Sequence, residues 1–108
     1  MLISLLKAKL HRIRVTEANL DYEGSLTLDP DDMEAVGMLP YEKILVADVE
    51  NGSRFETYAI AGRRGSHVCC LNGAAARLGK VGDRLIVMSF ASVAPAEAAN
   101  WQPKVLHF

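Results

Sequence analysis

Alternating apolar and polar residues run along most of this chain, and the alternation predicts a series of short β-strands. The first is expected at residues 5–15, where both faces carry charge at one end and apolar residues at the other. A strand that twists from solvent into a core has this character. Residues 20–28 are expected to be extended on both sides of a Gly-Ser pair. Further strands are predicted at residues 43–49, 54–61, 67–71, 84–93 and 105–108.

Capping and turn signals separate these strands. Asp29 can cap a short helix, and Pro30 suits its first position because proline has no backbone N–H to satisfy. Asn51-Gly52 is a strong hairpin signal between two of the strands. Short helices are also predicted at residues 74–78 and 95–100. About six or seven strands in so short a chain favour a mainly-β fold, closed or nearly closed into a barrel.

Length and composition limit the number of domains and the kinds of partner that this chain can have. The chain has 108 residues, half of them apolar, and a formal net charge of −1. One domain spanning residues 1–108 is expected, with no nucleic-acid or membrane partner, in the cytoplasm. The adjacent Cys69 and Cys70 have neither disulfide geometry nor metal-ligand spacing, so we expect buried strand cysteines and no metal site.

The dipeptide Gly24-Ser25 offers an unusual chemistry. Glycine has no Cβ, so the carbonyl of Gly24 is open to approach and its backbone can adopt conformations closed to other residues. In a strained turn the Ser25 hydroxyl could attack that carbonyl and convert the amide to an ester. β-Elimination would then cut the chain, and water would convert the new dehydroalanine to a pyruvoyl group. The dipeptide alone is more often an ordinary turn.

The chain as a whole closely resembles the aspartate 1-decarboxylase family of pyruvoyl-dependent enzymes, which make β-alanine for pantothenate synthesis. Each matching motif is weak alone, but together they lie in order along nearly the whole chain. The resemblance implies a six-stranded double-psi β-barrel with short helices, assembled as a homotetramer with active sites between subunits. The motifs are Lys9-Leu10-His11-Arg12, Val15-Thr16, Tyr22-Glu23-Gly24-Ser25, the run from Arg54 to Ile60, and Asn72-Gly73-Ala74-Ala75-Ala76.

The resemblance also implies a proenzyme that cleaves itself between Gly24 and Ser25. The products would be a β chain of residues 1–24 and an α chain of residues 25–108 that begins with a covalently bound pyruvoyl group. This group would form a Schiff base with L-aspartate and accept the electrons released with CO2, without pyridoxal phosphate or a metal. The sequence leaves open whether a maturation factor assists the cleavage.

The resemblance assigns roles to individual side chains. Ser25 is the pyruvoyl precursor, and Tyr58 is the proton donor, because a phenol with a pKa of about 10 stays protonated at neutral pH. Arg54 offers a planar fork for a substrate carboxylate, and Lys9 a second cation. Strand parity places Arg54 and Tyr58 on one face. It places Thr57, assigned to processing and substrate contact, on the opposite face, unless a bulge or a site shared between subunits resolves this tension.

The start of the second predicted helix completes the site. Its backbone N–H groups could hold a substrate carboxylate or the oxyanion of self-cleavage. Substrate contacts are expected from Gly73, Ala74 and Ala75. Processing roles are expected for His11, Tyr22, Glu23 and Asn72.

Two other functions remain open from the sequence. One is a small β-barrel binding module that keeps the fold and never cleaves. The other is a pyruvoyl enzyme acting on another acidic amino acid, such as glutamate.

Overall fold

Strands dominate the computed structural model, which describes residues 1–108. Its helices are short, and none has the length and apolar character needed to cross a membrane. The strands are β1 (Ile3–Arg14), β2 (Glu17–Asn19), β3 (Ser25–Leu28), β4 (Lys43–Asp48), β5 (Arg54–Ala61), β6 (Cys69–Asn72), β7 (Arg84–Val93) and β8 (Lys104–His107). The helices are α1 (Pro30–Ala35), the 3-10 helix η1 (Gly73–Arg77) and α2 (Pro95–Ala98).

The mainly-β prediction is confirmed, but the strand count is eight and not six or seven. The expectation of extended chain from residue 20 was wrong. The carbonyl and side-chain oxygens of Asn19 accept hydrogen bonds from the N–H groups of Tyr22 and Asp21, respectively. These bonds turn the chain after β2, so that the next strand begins only at Ser25.

All eight strands join one mixed sheet in the order β2-β6-β3-β5-β4-β7-β1-β8. β1 and β7 form the longest antiparallel pair, and β4 lies antiparallel to both β5 and β7. β3 lies between two partners: it runs parallel to β5 and antiparallel to β6. The short strand β3 therefore joins the two parts of the sheet.

The core follows from the alternation in the strands. Ile44 and Val46 of β4 and Leu85 and Val87 of β7 are buried, and β3 adds Leu26 and Leu28. Each fully buried side chain of this kind contributes about 1.5–3 kcal/mol relative to an exposed one.

Both cysteines are buried and unpaired, as predicted. Burial raises the pKa of the Cys69 thiol well above its ordinary value, so that this residue stays a thiol at neutral pH. The Cys70 thiol donates to Oδ1 of Asn72 at 3.1 Å. Neither cysteine is placed as a nucleophile, and Cys70 supports the orientation of Asn72.

Two buried carboxyl groups lie close together, Asp48 at the end of β4 and Asp83 in the turn before β7. Asp48 and Asp83 are each only 2% exposed. Oδ1 of Asp48 accepts hydrogen bonds from the N–H groups of Glu50 and Asn51. Burial and the neighbouring Asp83 raise the pKa of Asp48, whereas the pairing with Asp48 lowers the pKa of Asp83. As the pH falls, Asp48 is therefore the first of the two carboxyl groups to take up a proton.

We expect Asp48→Asn to stabilise the protein at neutral pH. The pKa of Asp48 is higher in the fold than its ordinary value of 3.8, so the stability that its proton provides is lost as the pH rises through the folded pKa. An asparagine amide donates to Asp83 at every pH. The free energy of unfolding should rise by about 1 kcal/mol near pH 7, the worth of one buried hydrogen bond, and change little near pH 4.

Thermal unfolding of the variant and the wild type at both pH values measures this difference. Asp21→Asn, which removes an exposed carboxylate, is the control and should leave the pH profile unchanged. An equal change at both pH values for Asp48→Asn would contradict the raised pKa of Asp48.

Candidate active site

Ser25 is the first residue of β3 and is only 1% exposed. Its hydroxyl donates to the carbonyl oxygen of Glu23 at 3.1 Å. Its Oγ accepts a hydrogen bond from Nδ2 of Asn72 at 3.0 Å. A hydroxyl oxygen has two lone pairs, so the second lone pair of Oγ stays free for attack on a carbonyl carbon.

Asn72 is held by a network that fixes its amide. It pairs directly with Ser25 in the β3–β6 register and is buried. Its Nδ2 group donates to Oγ1 of Thr27 at 2.8 Å as well as to Ser25, so both amide protons are used. Its Oδ1 accepts from Cys70. The side chain can satisfy these partners in one orientation only, and this orientation directs a donor at Ser25.

Gly73 packs against the backbone just before Ser25. Its φ is +65°, in the left-handed region that favours glycine. A Cβ on Gly73 would lie 2.8 Å from both Cα and N of Gly24 and 2.9 Å from the carbonyl oxygen of Tyr22. The chain can approach this closely only because residue 73 has no side chain.

The glycine of the site with a positive φ is thus Gly73 and not Gly24. Gly24 is not among the glycines with positive φ, and no atom lies within 4 Å of the position of a Cβ there. The positive φ falls at Gly73 because the chain turns there from β6 into η1.

Two pockets flank the bond between Gly24 and Ser25. The first, called the Tyr58 pocket, has a volume of about 320 Å³ and is lined by Tyr22, Glu23, Ser25, Pro40, Tyr41, Tyr58, Ile60 and Ala61. The second, called the Thr57 pocket, has a volume of about 240 Å³ and is lined by Gly24, Phe55, Glu56, Thr57, Asn72, Ala74, Ala75 and Leu78.

Strand β5 separates the two pockets. Its register with β4 is continuous, so no bulge turns Thr57 towards the face of Tyr58. Thr57 therefore shares a pocket with Gly24, and Tyr58 shares the other with Ser25. The opposite orientation of these two residues agrees with the strand parity and places them on the two sides of the Gly24–Ser25 bond.

Three candidate side chains lie outside both pockets. Arg54 is exposed at the start of β5, and Lys9 and His11 lie on β1. The ring of His11 packs edge-on against His107 with centroids 5.4 Å apart. Burial, followed by the positive charge of Lys9, lowers the pKa of His11. Within one chain, Arg54 therefore does not line the pocket of Tyr58, although strand parity places both residues on one face of β5.

Two residues at the site were missed by the sequence analysis. Thr27 accepts the second hydrogen bond from Asn72, and its position two residues after Ser25 on the same strand was a usable signal. Tyr41 lines the Tyr58 pocket, with its ring centroid 6.3 Å from that of Tyr58. No local pattern marks Tyr41, because it lies in the loop before β4 with a φ of +70°.

Comparison with known proteins points to one family, the aspartate decarboxylases. The family model described as aspartate decarboxylase matches residues 1–108. The aspartate 1-decarboxylase of Syntrophobacter fumaroxidans is 60% identical over 102 residues, which is 94% of this chain and 82% of that protein. The aspartate 1-decarboxylase of Lactiplantibacillus plantarum is 56% identical over 98% of this chain and 82% of its own length. That of Salinibacter ruber is 54% identical over 97% of this chain and 72% of its own length.

We expect Gly73→Ala to destabilise the chain more than Gly52→Ala. Both glycines have positive φ, so both substitutions carry a backbone cost of about 1 kcal/mol. Only the Cβ at residue 73 meets other atoms, which adds about 1–3 kcal/mol for overpacking. Denaturant unfolding of each variant in a Ser25→Ala chain, which cannot form the ester, measures the two costs. Equal costs would show that residue 73 does not hold the Gly24 segment.

Proposed function

This chain belongs to the aspartate decarboxylase family, and we infer that it removes the α-carboxylate of L-aspartate as CO2 and yields β-alanine for pantothenate synthesis. We propose that it first makes its own pyruvoyl group by cleavage between Gly24 and Ser25. The observation that supports this step best is the hydrogen bond from Asn72 to the buried Ser25 hydroxyl, next to a Gly24 carbonyl that no side chain of its own covers.

The residues around Ser25 suit self-cleavage. Oγ of Ser25 attacks the carbonyl carbon of Gly24, the C–N bond breaks, and an ester with a free Ser25 amine results. Loss of the Ser25 Cα proton then breaks the ester C–O bond, so Gly24 leaves as a carboxylate and residue 25 becomes dehydroalanine. Water finally replaces the nitrogen of residue 25, which leaves as ammonia, and the pyruvoyl group remains.

Groups in the Thr57 pocket are suited to assist this cleavage. Asn72 holds Oγ of Ser25, and Thr57 shares the pocket with Gly24. In the proposal, backbone N–H groups at Gly73, Ala74 and Ala75 stabilise the oxyanion that forms on Gly24. The contact between Gly73 and Gly24 brings this start of η1 close to the scissile segment.

Decarboxylation is proposed to use the Tyr58 pocket. The pyruvoyl group supplies an electrophilic carbonyl that takes up the electron pair released with CO2. Tyr58 lines the same pocket as Ser25 and carries a phenol proton that it can return to the substrate α-carbon. Tyr22 and Glu23 line the same pocket and directly precede Gly24, so in the proposal they position the segment before the scissile bond.

The positions of the two cationic side chains proposed to bind the aspartate carboxylates favour an assembly of several chains. Arg54 and Lys9, the proposed carboxylate ligands, lie outside both pockets, as does the processing candidate His11. We therefore propose a homotetramer in which a neighbouring copy supplies these side chains to each site. The exposed ring of Tyr41 at the rim of the Tyr58 pocket offers apolar surface for such a contact.

The finer fold and the cellular location are part of the same proposal. A double-psi β-barrel is consistent with a mixed sheet in which β1–β8, β2–β6 and β3–β5 run parallel while the other pairs are antiparallel. A cytoplasmic location is consistent with two free cysteines, because reducing compartments keep thiols unpaired.

Intact mass under denaturing conditions tests the cleavage. We expect two fragments that divide after Gly24. The larger fragment should be lighter by one ammonia than a fragment beginning with an intact serine, because the pyruvoyl group lacks the serine nitrogen. Ser25→Ala should give one full-length mass and no β-alanine from aspartate.

Activity in the Ser25→Ala chain would contradict the pyruvoyl mechanism. A full-length mass for the wild type would lead to a second test with cell extract, since a maturation factor would then restore cleavage of the wild type and not of the Ser25→Ala chain. Failure of that second test would favour a binding module without the chemistry.

Tyr58→Phe should separate the two reactions. The variant keeps the ring and loses the phenol proton, so we expect normal cleavage and a kcat for aspartate that is lower by about 10²–10⁴-fold. Tyr41→Phe is the matched control, because Tyr41 lines the same pocket at 6.3 Å between ring centroids and has no proposed role in proton transfer. Equal losses in both variants would contradict the role of Tyr58.

A further inference from the structure

Three side chains that commonly bind metals converge at the end of the β3–β6 pair opposite to Ser25. Asp29 directly follows β3, Asp32 lies in α1, and His67 lies shortly before β6. Their potential ligand atoms all lie within 4.8 Å of one another. Nδ1 of His67 is 3.9 Å from Oδ2 of Asp29 and 3.5 Å from Oδ2 of Asp32.

Asp32 has a buried carboxylate oxygen without a hydrogen-bond partner. The residue is 4% exposed, and its Oδ2 forms no hydrogen bond although it faces the His67 ring. An unpaired polar atom in the interior costs about 1–3 kcal/mol, and more when it is charged. A ligand that fills this position would remove that cost.

Asp29 has one acceptor position that faces the same space. Its Oδ1 accepts from the N–H groups of Asp31 and Gly65, and its Oδ2 accepts from the N–H group of His67 at 2.8 Å. Each carboxylate oxygen has two lone pairs, so one lone pair remains on Oδ2, the atom near the His67 ring.

Arg64, which lies near α1, forms no ion pair with either of these two carboxylates. Arg64 forms ion pairs with Asp31 and Glu34, on the outer side of α1. Asp29 and Asp32 are therefore left with the imidazole of His67 as their closest positive or metal-binding group.

We propose that Asp29, Asp32 and His67 bind a divalent transition-metal ion, with zinc as the best fit. Zinc binds imidazole nitrogen and carboxylate oxygen at about 2.0–2.2 Å, which puts tetrahedral ligand atoms about 3.3–3.6 Å apart. The observed separations of 3.5 and 3.9 Å reach this range with a shift of a few tenths of an ångström. Magnesium and calcium prefer all-oxygen sites, so the imidazole favours zinc.

The site lies apart from the chemistry and would act on the fold. The side chain of His67 is 74% exposed, so a water molecule can complete the coordination from the solvent side. The ion would join the end of β3, α1 and the loop before β6, next to the Leu28–Cys69 pair. No complete metal-ligand spacing is visible in the sequence, because only the topology brings His67 to Asp29 and Asp32.

Calorimetric titration of chelator-treated protein with zinc chloride tests the proposal. We expect one zinc ion per chain and a loss of affinity of at least about tenfold in Asp32→Asn and in His67→Asn. Asparagine at residue 67 tolerates the φ of +55° there, so the second variant removes the imidazole without straining the loop. Zinc should raise the Tm of the wild type and not that of the two variants, and magnesium should raise none of them.

His107→Ala controls for zinc held by the other histidine pair, His11 and His107. This variant should bind zinc as the wild type does. The proposal is overturned if the wild type does not bind zinc, if Asp32→Asn and His67→Asn bind it unchanged, or if only His107→Ala loses it. In each of those cases His67 and Asp32 are neighbours that hold no metal. None of these results depends on cleavage or decarboxylase activity.

Discussion

The register of β3 against β6 is the constraint on which the candidate site depends. It sets Ser25 opposite Asn72, so that an amide with no spare donor is directed at the hydroxyl. A shift by one residue would turn Asn72 to the other face of the sheet. The next residue, Gly73, lies under Gly24 with no room for a Cβ. The adjacent residues Asn72 and Gly73 thus fix the Ser25 hydroxyl and the Gly24 backbone, respectively.

β5 divides the surroundings of the Gly24–Ser25 bond. Because successive side chains on a strand point to opposite faces, Thr57 and Tyr58 reach different pockets although they are adjacent in sequence. In the proposed function this separates two tasks. Thr57 and Asn72 line the pocket of Gly24, whose peptide bond would be cleaved, whereas Tyr58 lines the pocket of Ser25, which would bind the substrate. One strand can therefore serve a single-use reaction and a repeated one without placing both sets of groups in one cavity.

Strands and helix starts that depend on alternation or capping within a few residues were predicted correctly from the sequence. The bounds of β5 and β7 agree with their alternation, and Asp29 caps α1 as expected. The turn after β2 was missed because it depends on hydrogen bonds to Asn19, which no periodicity shows. The motifs suggested the site residues by resemblance, and strand parity predicted that Thr57 and Tyr58 lie on opposite faces of β5. The contact between Asn72 and Ser25, 47 positions apart, follows from topology, and so does the convergence of Asp29, Asp32 and His67.

The arrangement of β1 and β2 has a consequence for the order of events in the life of the chain. β1 lies between β7 and β8, and β2 pairs with β6, so every partner of these two strands follows Ser25 in sequence. A break after Gly24 would cut the covalent tether while leaving the smaller piece enclosed by the larger one. Its escape would require the sheet to come apart, and recovery would then be a bimolecular encounter that slows with dilution. Folding would therefore have to come before such a cut, and a protein cut in this way would be preserved by its unfolding barrier, since it would no longer have the single chain that directed its assembly.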